Sequence, residues 1–207
     1  MILIKLGYIK DMINNIILAT SNILKKNIIK NSGYKVYLRL PPIISKIPFI
    51  KEKPDNFINR LINYKSISLS KQFPHNIIIT NETILTRGKI IFSKPKNLNE
   101  LKTLFQILSG KRHTIYNTIY IIYNNLIYKR KVKTSVKLKL LNKKEISFLI
   151  DYHKKFQKIG GYYLESSIIN YIIKTNGLIN NLMTKSLYEI HKVLYKLGIR
   201  QYLINII

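Results

Sequence analysis

Two periodicities of apolar and polar residues run along the chain, and together they predict an α/β protein. Apolar residues that alternate with polar ones, or that form short runs, predict strands at residues 16–18, 34–40, 77–79, 114–123, 127–141 and 168–173. Apolar residues three or four positions apart predict helices at residues 23–30, 57–71, 97–108, 143–155 and 186–197. Because strands and helices are interspersed, with hairpins among them, we predict a mixed sheet in an α/β architecture.

The stretch from Ile77 to Tyr116 carries the first candidate chemistry. Its opening apolar run ends at residues 80–83, Thr-Asn-Glu-Thr, which predicts the carboxylate of Glu82 at a strand end, beside a hydroxyl. A second strand pattern follows, is interrupted by Gly88 and closes at Lys94. An acid at a strand end with lysines on nearby loops suits a phosphate and metal site. The plainer alternative is an ordinary strand, hairpin and helix with polar ends.

An anion-binding geometry is predicted at the first junction between a strand and a helix. Residues 19–22, Ala-Thr-Ser-Asn, are typical of a helix N-cap, and Lys25 and Lys26 follow on the predicted helix. The start of a helix offers backbone N–H groups that have no partner within the helix, so it favours anions.

The charge of the chain points to polyanions, although composition offers a second cause. The 207 residues carry 36 basic and 9 acidic side chains, a formal net charge of +27. Such a charge is typical of proteins that bind nucleic acids, nucleotides or acidic membranes. The chain is also dominated by Ile, Lys, Asn and Tyr, whose codons are rich in A and T, and it has no Trp. Genome composition therefore accounts for part of the charge.

Cysteine and histidine usage narrows the possible chemistry. The absence of Cys excludes disulfides, thiol catalysis and thiolate metal sites. The four histidines, His75, His113, His153 and His191, are scattered, and we expect them on the surface or on helix faces rather than as metal ligands.

Hydropathy predicts a soluble, cytoplasmic protein without a membrane partner. No uninterrupted run of 18 apolar residues occurs, and the apolar start of the chain is too short to span a bilayer. We predict a single domain over residues 1–207, in which residues 1–13 could be an additional N-terminal segment.

Several motifs, in this order and spacing, resemble the Maf-type nucleoside triphosphate pyrophosphatases, over about residues 16–198. They are Glu82-Thr83 through Gly88, Lys94-Pro95, the run Leu-Ser-Gly-Lys-Arg-His-Thr-Ile-Tyr at residues 108–116, and Lys-Ile-Gly-Gly-Tyr at residues 158–162. The resemblance implies a twisted mixed sheet flanked by helices around a central cleft, as in the inosine triphosphate pyrophosphatases. It also implies hydrolysis of nucleoside triphosphates, some of them non-standard, between the α and β phosphates, with a divalent metal, Mg²⁺ or Mn²⁺.

Site residues follow from the same resemblance. Glu82 takes the place of the aspartate that serves as general base or metal ligand. The positions implied to bind the substrate phosphates are Thr20, Lys25, Lys65, Lys94 and Lys158. The positions implied to affect specificity are Leu24, Thr83 and Glu165. The expected partner is a nucleoside triphosphate rather than a nucleic acid, and a homodimer is left open.

The chain departs from the family pattern at several of these positions. Leu24 replaces an arginine that grips phosphate, Glu82 is one methylene longer than aspartate, and Glu165 replaces a glutamine. The acidic pair expected after the second strand is missing, with Ser45 and Lys46 near its place. Two alternatives therefore stay open beside the enzyme: a catalytically impaired descendant that binds nucleotides, and a basic RNA-binding protein.

Overall fold

A computed structural model describes residues 16–20, 29, 31, 33–34, 36–41, 44–155, 167–177 and 184–199. The strands in this part are β1 (Ile16–Ala19), β2 (Val36–Arg39), β3 (Ile77–Arg87), β4 (Ile90–Phe92), β5 (Arg112–Tyr123), β6 (Leu126–Leu138) and β7 (Ile172–Asn176). The helices in this part are α1 (Pro54–Gln72), α2 (Leu98–Leu108), α3 (Lys143–Lys155) and α4 (Thr184–Lys196). None of these helices has the length and hydropathy needed to cross a membrane.

The described strands form one mixed sheet. Their order is β2-β1-β3-β5-β6-β7, and β4 pairs with β3 outside this path. β1 is parallel to both β2 and β3, whereas the pairs formed by β3 with β4, β3 with β5, β5 with β6 and β6 with β7 are antiparallel. The predicted α/β class with a mixed sheet is therefore confirmed.

Helices cover both faces of the sheet. Successive residues of a strand point to opposite faces. Ile78 of β3 packs in one apolar cluster with Leu69 of α1, whereas Ile79 packs in another with Val193 and Leu194 of α4. The helices α2 and α3 join the α4 side through a further cluster around Phe105. We call the side of the sheet that faces α1 the α1 face, and the other side the α4 face.

β3 corrects the prediction for the central stretch. It is a single strand of 11 residues that continues through residues 80–83, so Glu82 lies in mid-strand rather than at a strand end. The reason is that β5 pairs with β3 without interruption from Ile78 to Thr86, and this pairing supplies hydrogen bonds to the polar residues as well. Polar residues signal a strand end only where no neighbouring strand continues.

Other boundaries agree with the sequence or differ by a few residues. α1 begins at Pro54, three residues before the predicted Phe57, because proline is favoured in the first turn of a helix. α2 begins after the predicted cap Asn97, whose side chain accepts a hydrogen bond from the Glu100 N–H. The strand predicted at residues 168–173 is wrong in its first part, because residues 167–171 form a 3₁₀ turn before β7. The helix predicted at residues 23–30 lies largely outside the described residues.

Candidate functional site

A notch in the sheet edge beside β3 marks the candidate site. On one side β3 pairs continuously with β5. On the other side β1 ends opposite Thr80, and β4 pairs only with residues 85–87. In the described chain, no strand pairs with residues 81–84 on that side. Glu82 and Thr83 therefore lie in a gap between the ends of two strands.

Glu82 is held by Lys65 at this notch. Its side chain points to the α1 face, where a carboxylate oxygen accepts a hydrogen bond from the Lys65 ammonium group. The ammonium is carried by the buried side of α1, one turn from both Leu61 and Leu69, which explains why a lysine is only 4 % exposed. The pair is partly buried, with side chains 5% and 14% exposed, so it costs some desolvation, and removing one partner leaves an uncompensated charge. The pair thus fixes the position of the carboxylate.

Thr20 and Lys94 flank the notch from opposite ends. Thr20 follows the last residue of β1, is buried, and donates its backbone N–H to the Leu18 carbonyl at 3.0 Å. Lys94 follows β4, which runs antiparallel to β3, so the chain leaves β4 in the direction of Thr83 and Glu82. Lys94 is exposed and precedes the buried Pro95. The register thus places both residues on the notch side of β3.

Thr83, which is itself exposed, hydrogen-bonds to a row of buried asparagines on the α4 face. The Asn81 amide donates to the Asn117 side-chain oxygen at 2.6 Å, and the Asn117 amide donates to the Thr83 hydroxyl at 3.4 Å. Both asparagines are buried, and Asn117 lies directly opposite Thr83 on β5. The sequence analysis missed them, although an asparagine within the apolar run Ile-Tyr-Asn-Thr-Ile was a signal, because buried amides require hydrogen-bond partners.

Several predicted site residues lie outside the described residues. They are Leu24, Lys25, Lys158 and Glu165. Their predicted roles stay predictions. The structure brings Glu82 together with Lys65, and it places Thr20, Thr83 and Lys94 at the same notch.

Among the described residues, Glu82 is the acid that lies at the notch. In the parts of the chain that the structure describes, no three His, Cys, Asp or Glu side chains gather in a way that could hold a metal. The acids that precede or begin α1 are engaged elsewhere: Glu52 accepts two hydrogen bonds from Arg60, and Asp55 pairs with Lys131. A metal bound to Glu82 would find no second acid among the described residues of the notch.

Comparisons with known proteins identify the family. The family model for Maf-like proteins matches residues 15–197. A dTTP/UTP pyrophosphatase of Wolbachia from Brugia malayi is 25% identical over 188 residues, which cover 90% of this chain and 95% of the relative. A nucleoside triphosphate pyrophosphatase of Rickettsia typhi is 29% identical over 190 residues, which cover 89% of this chain and 84% of the relative.

Solved structures give a weaker match. A nucleoside-triphosphatase (dITP/XTP pyrophosphatase) from Mycobacterium abscessus has 9% identity and a TM-score of 0.40, over 88% of this chain and 97% of that one. The fold class rests on the strand order above rather than on this likeness.

In its described residues, the structure is that of an α/β protein with one acid, Glu82, and two lysines, Lys65 and Lys94, at a notch in a mixed sheet. Because the family model covers most of its length, this chain belongs to the family of Maf-like proteins.

Proposed function

We propose that the protein hydrolyses nucleoside triphosphates between the α and β phosphates, giving a nucleoside monophosphate and pyrophosphate. The observation that carries the proposal is the Glu82–Lys65 pair at the notch, with Thr20 and Lys94 on either side of it. The names of the Wolbachia and Rickettsia relatives support the same reaction. The first name favours a pyrimidine nucleotide as substrate, and the preferred base is left to experiment.

The reaction needs an activated water molecule and a neutralised polyphosphate. Water attacks the α phosphorus, its oxygen forms the new P–O bond, and the bond from that phosphorus to the α–β bridging oxygen breaks. Glu82 accepts the proton of the attacking water, and pyrophosphate leaves with the electron pair of the broken bond. Lys65, Lys94, Lys25 and Lys158 offset the negative charge of the phosphates. Thr20 donates a hydrogen bond to a phosphate oxygen.

Glu82 suits a divalent metal of the Mg²⁺ or Mn²⁺ type. Mg²⁺ in phosphate-binding sites is usually held by one or two carboxylates together with substrate phosphates and waters, and the carboxylate of Glu82 can supply one of these ligands. When bound, such an ion offsets phosphate charge and the repulsion between the substrate and Glu82. We further propose that the protein acts in the cytoplasm; a homodimer stays a prediction.

Pyrophosphate release from a panel of nucleoside triphosphates, with Mg²⁺ or Mn²⁺, tests the proposal. We expect Glu82→Gln to lower kcat roughly a hundredfold or more, because an amide cannot accept the proton of the attacking water. The control is Asp151→Asn, which removes an exposed carboxylate on α3 and leaves turnover unchanged. Equal rates for the wild type and Glu82→Gln would rule out the proposed base.

A second candidate function is nucleotide binding without hydrolysis, because Lys65 is hydrogen-bonded to the carboxylate that would act as the base. If Lys65 stays on Glu82 when a nucleotide binds, the protein would bind nucleotides without cleaving them. Equilibrium binding of a non-hydrolysable triphosphate, together with the turnover assay, separates the two functions. Binding without turnover across all metals and nucleotides would support the impaired descendant.

A further inference from the structure

Two threonine hydroxyls beside Glu82 are buried without a partner. The side-chain oxygens of Thr80 and Thr118 are shielded from solvent and make no hydrogen bond, and both residues are 0% exposed. A buried hydroxyl without a partner destabilises the folded state, and valine, which has the same shape, would avoid that cost. Packing alone therefore does not explain why both positions carry threonine rather than valine.

Strand register places both hydroxyl-bearing residues next to the carboxylate. Thr118 of β5 pairs directly with Glu82 of β3, so their Cβ atoms are about 5 Å apart on the α1 face. Thr80 precedes Glu82 by two residues on the same strand and therefore points to the same face. A threonine hydroxyl has staggered alternatives about 120° apart in χ1, so a change of rotamer redirects it toward a neighbouring acceptor.

In the structure, Lys65 rather than a threonine is the donor to Glu82. Its ammonium group donates to one Glu82 oxygen, and neither threonine hydroxyl donates to the carboxylate. A triphosphate offers this ammonium group a more highly charged acceptor. If Lys65 turns to the phosphates, Glu82 loses its donor at the moment when its position matters most.

We propose that Thr118, assisted by Thr80, takes over from Lys65 as the hydrogen-bond donor to Glu82 when a triphosphate is bound. Both are positioning residues, and the proposal rests on the proposed function. The threonine hydroxyl orients the carboxylate toward the attacking water while Lys65 binds the phosphates. A neutral donor also orients the carboxylate without placing a second positive charge beside it.

The valine and serine variants of Thr118 test this role. We expect Thr118→Val to lower kcat about tenfold with KM changed less than about twofold, because the hydroxyl acts on a group that serves the reaction step rather than substrate binding. The same variant should raise the midpoint of thermal unfolding of the ligand-free protein, because it removes a buried hydroxyl that has no partner. Thr118→Ser keeps the donor and should retain most of the turnover.

Thr134 provides the matched control. Its hydroxyl is also buried without a partner, but Thr134 pairs with Ile115 of β5 and points to the α4 face, away from Glu82. Thr134→Val should raise the unfolding midpoint and leave kcat unchanged. A purely structural role for Thr118 predicts that the two valine variants behave alike.

The outcomes separate this inference from the proposed function. An active wild type together with an equally active Thr118→Val overturns the inference and leaves the proposed function standing. A loss of kcat in both Thr118→Val and Thr118→Ser also overturns it, because the serine hydroxyl should replace the donor. An inactive wild type overturns both proposals.

Discussion

At the scale of the residue, His113 shows how burial decides chemistry. The sequence analysis expected a histidine on the surface or on a helix face, and for His113 that prediction is wrong, because the residue lies in β5 and is only 1% exposed. Burial lowers the pKa of His113 from 6.5 to about 4, and a hydrogen bond with the Lys111 backbone acts in the opposite direction without cancelling the effect. The imidazole is therefore neutral in the folded protein near pH 6.

We expect this histidine to make the protein less stable in mild acid. Between pH 6.5 and 4 the unfolded chain binds a proton at His113 that the folded protein does not, so the free energy of unfolding falls as pH falls through this window. The loss between pH 7 and pH 5 should be about 2 kcal/mol. Urea unfolding of the wild type and His113→Gln at both pH values measures it.

The control for this measurement is His75→Gln, which changes an exposed histidine. It should keep the pH dependence of the wild type, whereas His113→Gln should flatten it. An unchanged pH dependence in His113→Gln would show that other groups cause the acid sensitivity.

At the scale of the element, the long hairpin strands position the site. The continuous pairing of β3 with β5 and of β5 with β6 carries Glu82, Thr118 and Lys131 on one line across the α1 face. The turn between β5 and β6 consists of Asn124 and Asn125, and both asparagines have positive φ, as a tight hairpin requires. Alternation in β5 and β6 was readable from the sequence, whereas the unbroken length of β3 was not.

Gly177, which follows β7, tests how closely the chain approaches β6 at this point. Its φ is +102°, and a Cβ atom there would lie 3.0 Å from the Lys133 carbonyl oxygen. We expect Gly177→Ala to lower the free energy of unfolding by about 3 kcal/mol, from backbone strain and from the close approach together. Chemical denaturation of the purified variant gives the value.

Gly88, which precedes β4, is the matched control because its φ of +59° is also positive but nothing lies within 4 Å of the added Cβ atom. Gly88→Ala should therefore cost only the strain, about 1 kcal/mol. Equal losses at the two glycines would mean that the strands near Gly177 move apart at little cost.

At the scale of the whole molecule, the distribution of the net charge of +27 distinguishes a nucleic-acid site from an effect of genome composition. Basic residues are exposed in several elements: Lys129, Lys131 and Lys133 lie on β6, whereas Lys102 lies on α2 and Lys144 on α3. A charge that follows from genome composition is spread over the surface, and a nucleic-acid site concentrates it.

We expect any binding of single-stranded RNA to be weak, steeply salt-dependent and shared by the whole surface. Each lysine should contribute a similar non-specific attraction to the RNA phosphates. Replacing Lys129, Lys131 and Lys133 by Gln should therefore reduce the affinity for RNA no more than replacing Lys102, Lys143 and Lys144 by Gln. Fluorescence anisotropy with a labelled oligonucleotide at several salt concentrations measures both. Loss of binding in the β6 variant alone would instead support the RNA-binding alternative.

The sequence by itself predicted most of the described strands and helices, because apolar periodicity and capping act over neighbouring residues. It also singled out Glu82 as one of few acids. Only the tertiary structure decided that Lys65 meets Glu82, that β1 and β4 leave a notch beside them, and that Thr118 lies opposite the carboxylate. Those contacts join residues 17 to 36 positions apart or belong to different strands. Register and helix packing fix them, and neither is encoded in any single stretch of the chain.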